Sequence, residues 1–405
     1  MKPEDKKYKV ALVGEKSTFF NEKATKKALV KFIEKTDKFS MGVWCQKFEE
    51  AFAILQNRKY CMLFNSGSSA NLALIQALQN LGRLKRGDAI GFSALTWSTN
   101  VMPILQLGFE AIPIDCRRET LNVDADCAVK YLEKHNCKAF FVTNVLGLTT
   151  DLERLKKLCQ KKKIILIEDN CESLGTELPT GKAGNFGLAS TFSFFVAHHL
   201  STIEGGMVAT DDHELMEMLK IVRANGWDRN LHPERQNHWR TKHSVASDFH
   251  ARYTFYDLGY NLRPTEITGF LGHYQLPHLD KSIIIREKRF HKIQKIVREN
   301  PHFIPLEHGH IKRVSSFAFP FITKTPELRN HYAEKFERAG VEIRPIIAGN
   351  IMRQPFFKKY SVKQHELPET DIIHHCGFYC GNNPDYTNKE INIIIDCIKP
   401  AGSKK

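Results

Sequence analysis

Three short stretches hold residues whose types and spacing could do chemistry. In STFSFFVAHHLSTIEGGMVAT (190–210) an apolar run ends at Ser193, and His198, His199 and the turn Glu204-Gly205-Gly206 follow it. A strand that delivers a side chain into a glycine-rich turn is one way to present a catalytic group. An imidazole, with an ordinary pKa of about 6.5, can take and return a proton at neutral pH. In NSGSSANL (65–72) a strand passes into a helix through Gly67 and Ser68. The N–H groups at such a helix start can cradle a phosphate, although a merely capped helix reads the same way. In IILIEDNCESLG (164–175) Asp169 closes a buried strand, at the edge where open α/β sheets bind ligands. A carboxylate there needs a cation, either a protonated ring nitrogen or a salt-bridging side chain.

The elements that must hold these residues follow from the hydrophobic pattern. Apolar runs at 60–65, 88–95, 111–116, 138–145, 163–169, 190–195 and 206–211 alternate with helix-length amphipathic stretches such as SANLALIQALQNL. Strands apolar on both faces, separated by helices, predict an α/β domain with a mainly parallel sheet. Residues 228–256 are polar with no period and read as a long surface loop. Beyond them a helical stretch near 264–300, SSFAFPFI (315–322), a helix over 326–340 and VEIRPII (341–347) predict a smaller α+β domain. The division expected is a large domain over 1–275, opening with a helical arm to about residue 40, and a small domain over 276–405.

Composition narrows the function. The 405 residues carry a formal charge of +14, but the lysines are dispersed, and the densest run, LKKLCQKKK (155–163), reads as a solvated helix face. A nucleic-acid partner therefore has only net charge in its favour, whereas a basic surface also suits anionic metabolites. No stretch reaches the ~18–20 apolar residues of a membrane span, and the first twenty residues show no secretory h-region. Ten cysteines stand singly, the pattern of reduced thiols in a cytoplasmic protein. HHCGFYC (374–380) has no second well-spaced pair, so no metal site is expected.

In order and spacing the three motifs resemble the DegT/DnrJ/EryC1/StrS family of nucleotide-sugar aminotransferases, fold-type I enzymes that use pyridoxal phosphate (PLP). FSALTWSTNVMPILQLG (92–108), ANGWDRN (224–230), GYNLRPTEITGFLG (259–272) and AGNIMRQPFF (348–357) extend the resemblance over nearly the whole chain. It implies a large sheet domain with a smaller C-terminal domain. It also implies that Gly67, Ser68 and Ser193 hold the cofactor phosphate, Trp97 stacks on the ring, Asp169 meets the ring nitrogen and Glu172 lies near the ring hydroxyl. Asn261, with Arg263, would reach the cofactor phosphate of a neighbouring subunit in a homodimer with shared sites. Trp227, Arg229, Arg263 and Asn350 would contact substrate.

One position departs from the family. The lysine that ordinarily holds PLP covalently is replaced by His198, and the closest lysine is Lys182. This matches the branch of sugar 3-dehydratases that work with pyridoxamine phosphate (PMP) and a histidine base. The implied partners are a nucleotide-linked 4-keto-6-deoxy sugar and L-glutamate as amino donor. Within that branch the CDP-sugar enzymes carry an iron–sulfur cluster, which needs several cysteine ligands. No cysteine occurs between Cys171 and Cys376, so no cluster is expected and a GDP-linked 4-keto-6-deoxymannose is favoured. AGNIMRQPFF nevertheless resembles the CDP branch, and no spacing distinguishes guanine from cytosine. An aminotransferase whose lysine function has moved, and a non-catalytic sugar-nucleotide binder, are the competing readings.

Overall fold

The structure, a computed structural model, describes residues 8–12, 19–361 and 363–400. Each of the seven apolar runs forms a strand. In chain order these are β1 (Tyr60–Phe64), β2 (Ala89–Ser93), β3 (Glu110–Ile114), β4 (Ala139–Thr143) and β5 (Ile165–Asp169). After a short hairpin, β6 (Glu177–Leu178) and β7 (Gly181–Lys182), come β8 (Ala189–Ser193) and β9 (Gly206–Thr210). They build one sheet in the order β1-β9-β8-β5-β4-β2-β3, parallel except for β9, which runs against both neighbours. β2, β4 and β9 are buried along their whole length because helices cover both faces, which is why these runs lack the alternation of a half-exposed strand.

The register brings the motifs to one edge. β8 pairs Ser193 with Gly206, and β1 pairs Phe64 with the same glycine. The end of β1, the turn into β9 and the end of β8 therefore meet. A Cβ on Gly206 would lie 2.2 Å from the Ser66 carbonyl oxygen and 2.5 Å from the Gly67 nitrogen, both backbone atoms that cannot swing aside. Gly206→Ala is accordingly expected to lower stability by about 1–3 kcal/mol, the ordinary cost of overpacking, read as a drop in Tm.

The C-terminal unit has a three-stranded antiparallel sheet, β10 (Ala318–Ile322), β11 (Ile343–Arg344) and β12 (Gly377–Gly381), in the order β10-β12-β11. Helices Leu279–Glu299, Pro326–Ala339 and Asn388–Ile398 pack on it around Phe290, Phe319, Phe321, Phe336 and Phe378. The division at 275/276 is less sharp than a chain break. Val10 is buried in this C-terminal core and bridges Val341, so the described start of the chain packs with its end. Helix Leu279–Glu299 spans both units, with Leu279 and Ile283 against the large domain and Phe290, Ile293 and Val297 in the small one.

The N-terminal arm contains helix Glu22–Lys35. The polar stretch 228–256, expected to be a loop, holds helices Pro233–Lys242 and Asp248–Ala251. The first buries no residue, so it has no apolar stripe to betray its period; proline at its first turn starts it. No helix among the described residues is long and apolar enough to cross a membrane.

Candidate active site

The strand ends surround a cavity of about 480 Å³. At its floor helix Gly67–Asn80 begins. The Ser66 hydroxyl caps it, accepting from the Ser69 N–H at 3.1 Å. The N–H groups of Gly67 and Ser68 lie ahead of the first helical hydrogen bond, Ala70 to Ser66, and are free for an anion. Ser193 packs so close that a Cβ on Gly67 would sit 2.7 Å from its Cβ. A glycine and two serines thus form a concave, donor-rich cradle.

Asp169 lines the same cavity, 4% exposed. Its Oδ2 accepts from the side-chain amides of Asn71 (3.1 Å) and Asn100 (2.7 Å), and its Oδ1 from the Cys171 N–H (2.8 Å). No lysine or arginine among the described residues pairs with it. The geometry therefore leaves a buried carboxylate whose orientation is fixed and which has no cationic side-chain partner among the described residues. Asn71 and Asn100 were not among the residues singled out from sequence. Their signal is a buried amide on an otherwise apolar helix face, beside Ala70 and Leu74 and beside Val101 and Ile104.

Trp97 stands at the start of helix Ser98–Gln106 with its indole 57% exposed on the cavity wall. A large flat side chain left open inside a cavity is a platform for a ring. Glu172 Oε2 accepts from the Leu146 N–H at 3.0 Å; burial, opposed by that bond and reinforced by Asp169, raises its pKa to about 8. Its carboxyl thus holds a proton near neutrality and can donate a hydrogen bond.

The two histidines have different hydrogen-bond partners. His198 Nδ1 lies 2.6 Å from the Cys171 carbonyl oxygen. A carbonyl only accepts, so Nδ1 carries the proton and Nε2 presents a lone pair. Burial lowers the imidazole pKa to about 4, against the opposing pull of the Cys171 carbonyl, so the ring is neutral at pH 7. A base works only unprotonated: activity is full above this pKa and falls as the pH drops through it. The acid limb of kcat/KM should therefore lie near pH 4, and a limb at the ordinary imidazole value of about 6.5 would contradict the assignment. His199 lines the cavity as well. Its Nε2 donates to the Ser315 carbonyl at 2.9 Å, and burial holds it neutral too.

Gly67, Ser68, Trp97, Asp169, Glu172, Ser193 and His198 all line this cavity; Asn261, Trp227, Arg229, Arg263 and Asn350 do not. Asn261 is exposed and accepts from Arg263 Nε at 3.0 Å. The Arg229 guanidinium stacks 4.0 Å above the Trp227 ring, which itself stacks on Phe255. Asn350 is buried elsewhere, its amide donating to Asp371 at 2.8 Å and accepting from the Met352 N–H. No lysine lines the cavity among the described residues; Lys182 sits on β7 and donates to the Leu55 carbonyl.

A mainly parallel seven-stranded sheet with one reversed strand, carrying its site at the strand ends and followed by a small C-terminal domain, is the architecture of the fold-type I aminotransferases. The model of the DegT/DnrJ/EryC1/StrS aminotransferase family matches residues 21–399, and the chain belongs to this family. It is 35% identical over 369 residues to GDP-4-keto-6-deoxy-D-mannose 3-dehydratase of Yersinia pseudotuberculosis, covering 89% of this chain and 92% of that one. Among solved structures, the E. coli GDP-4-keto-6-deoxy-D-mannose-3-dehydratase with bound hydrated PLP superposes with a TM-score of 0.87 at 31% identity, over 97% of this chain and 100% of that one. A GDP-4-keto-6-deoxymannose-3-dehydratase with a trapped PLP-glutamate geminal diamine superposes equally well, 0.87 at 31% identity, over 96% and 100% of the two chains.

Proposed function

We propose that this chain is a PLP/PMP-dependent 3-dehydratase of GDP-4-keto-6-deoxymannose, recharged by L-glutamate. The observation that carries the reading is a neutral histidine, with its Nε2 lone pair free, at the cavity turn where the family ordinarily places lysine. The cavity suits the cofactor: the Gly67–Ser68–Ser193 cradle fits a phosphate, Trp97 a ring face, and the cation-less Asp169 a protonated ring nitrogen. When bound, the cofactor supplies an amine for the sugar's C4 carbonyl and a conjugated ring that takes up an electron pair.

The rest falls to the protein. Asp169, clamped by Asn71 and Asn100, keeps the ring nitrogen protonated. Glu172, protonated at neutral pH, donates toward the ring hydroxyl. His198 Nε2 takes a proton from carbon on one side of the elimination and returns it to the departing C3 hydroxyl. A lysine at this position would instead capture the PLP aldehyde and favour amino transfer. The imidazole forms no such bond, so it selects elimination.

A homodimer completes the site. Asn261 and Arg263 lie outside the cavity of their own chain, and Phe249, Tyr253, Phe255 and Leu258 are exposed near them in sequence. Such an apolar surface is what a second copy would cover, carrying Asn261 and Arg263 to the neighbouring cradle and the Trp227–Arg229 stack toward bound nucleotide. The reaction belongs to dideoxysugar biosynthesis, and its ten unpaired cysteines suit the reducing cytoplasm.

The test is parallel incubation with PLP, L-glutamate and either the GDP- or the CDP-linked 4-keto-6-deoxy sugar, followed by mass spectrometry. Loss of one oxygen from the GDP sugar alone, without a reductase, is the expected result. Conversion of only the CDP sugar would overturn the nucleotide assignment, and replacement of oxygen by an amino group would overturn the dehydratase.

A further inference from the structure

Two arginines line the cavity, and they differ in one respect. Arg344 is paired with the Glu342 carboxylate. Arg286, on helix Leu279–Glu299, has no carboxylate partner among the described residues, although it is only 5% exposed. Its Nη1 makes every hydrogen bond it has, to the carbonyls of Phe317 (2.9 Å), Asn382 (2.7 Å) and, at the limit of contact, Ser316 (3.5 Å). Nε is buried with no partner, and no bond is made by Nη2. Asp385 acts on it only through space, and burial lowers its pKa to about 10, which leaves it charged at neutral pH. A guanidinium anchored through one nitrogen, on a side chain that lines the cavity, and with Nε and Nη2 unpaired among the described residues, has the donor set of a side-on carboxylate receptor.

We propose that Arg286 binds a carboxylate of the dicarboxylic amino donor, on the small-domain side of His198. This rests on the reading of the protein as a glutamate-recharged enzyme. The placement fits it. Phe317, whose carbonyl anchors Arg286, has its ring 5.1 Å from the His198 ring, so an amino acid held at Arg286 lies beside the proton carrier. The nucleotide diphosphate is the other anion the protein would meet, and the test separates the two.

Binding of glutarate, which has both carboxylates and no amino group, is measured calorimetrically on the PLP-loaded protein and on Arg286→Lys. The two half-reactions are timed separately: glutamate with the PLP form, and the GDP sugar with the PMP form. Arg286→Lys keeps the charge and loses the fork. It should weaken glutarate binding and raise the glutamate KM by roughly 10–100-fold, the worth of a charge-assisted bidentate contact, and leave the sugar-nucleotide KM unchanged. Unaltered glutarate affinity in a variant that still binds PLP overturns the proposal, as does equal weakening of the sugar nucleotide. A crystal structure of the wild-type PLP–glutarate complex decides the same point without a variant: a carboxylate on the Nε–Nη2 edge supports it and one elsewhere overturns it. If wild-type protein converts the GDP sugar when PMP is supplied but neither binds glutarate nor reacts with glutamate, the amino-donor reading falls while the dehydratase stands.

Discussion

His198→Asn is expected to lower dehydration of the sugar nucleotide by about 10²–10⁴-fold, the usual contribution of a positioned general base, and to leave PLP binding intact. The cradle at Gly67, the ring platform at Trp97 and the acid at Asp169 stand on elements other than the His198 turn, so the cofactor loses none of them. What disappears is the Nε2 lone pair, held in its tautomer by the Cys171 carbonyl. His198→Lys makes the sharper companion. It should retain PLP through desalting and yield a borohydride-reducible link to the new side chain, with dehydration lost. A lysine variant that dehydrates at the wild-type rate would show that the residue at 198 does not choose the reaction.

The second large effect belongs to Asp169. Asp169→Asn preserves volume but removes the charge and turns an amide toward the two donors, Asn71 and Asn100, that now converge on the carboxylate. Losing one member of a buried, hydrogen-bonded charge pair costs about 2–5 kcal/mol, so PLP affinity should fall by roughly 30- to 4,000-fold. Titration of the apo variant with PLP, followed by absorbance, reads it. Wild-type affinity would mean that the ring nitrogen does not face this residue.

Much of this was legible in the sequence because the relevant signals are local. Every strand of the large sheet stands where a doubly apolar run predicts it, and seven of the residues singled out meet in one cavity. Helix Pro233–Lys242 escaped because it buries nothing, and β12 escaped because Gly377–Gly381 was read only as a possible ligand motif. Asn71, Asn100 and Arg286 matter through what they approach in space. Their roles depend on strand register and on the docking of helix Leu279–Glu299, which no spacing within one segment encodes. Asn261 and Arg263 lie outside the cavity of their own chain, so the roles expected of them rest on the proposed second copy.

His198 is proposed to make this protein eliminate a hydroxyl where family members with a lysine at that position transfer an amine. The most direct test is the nitrogen balance of a single incubation with PLP, L-glutamate and GDP-4-keto-6-deoxymannose. Elimination predicts one free ammonium ion for each 2-oxoglutarate formed and each sugar oxygen lost. Amino transfer would form 2-oxoglutarate with no free ammonium, its nitrogen retained on the sugar, and that result would contradict the account.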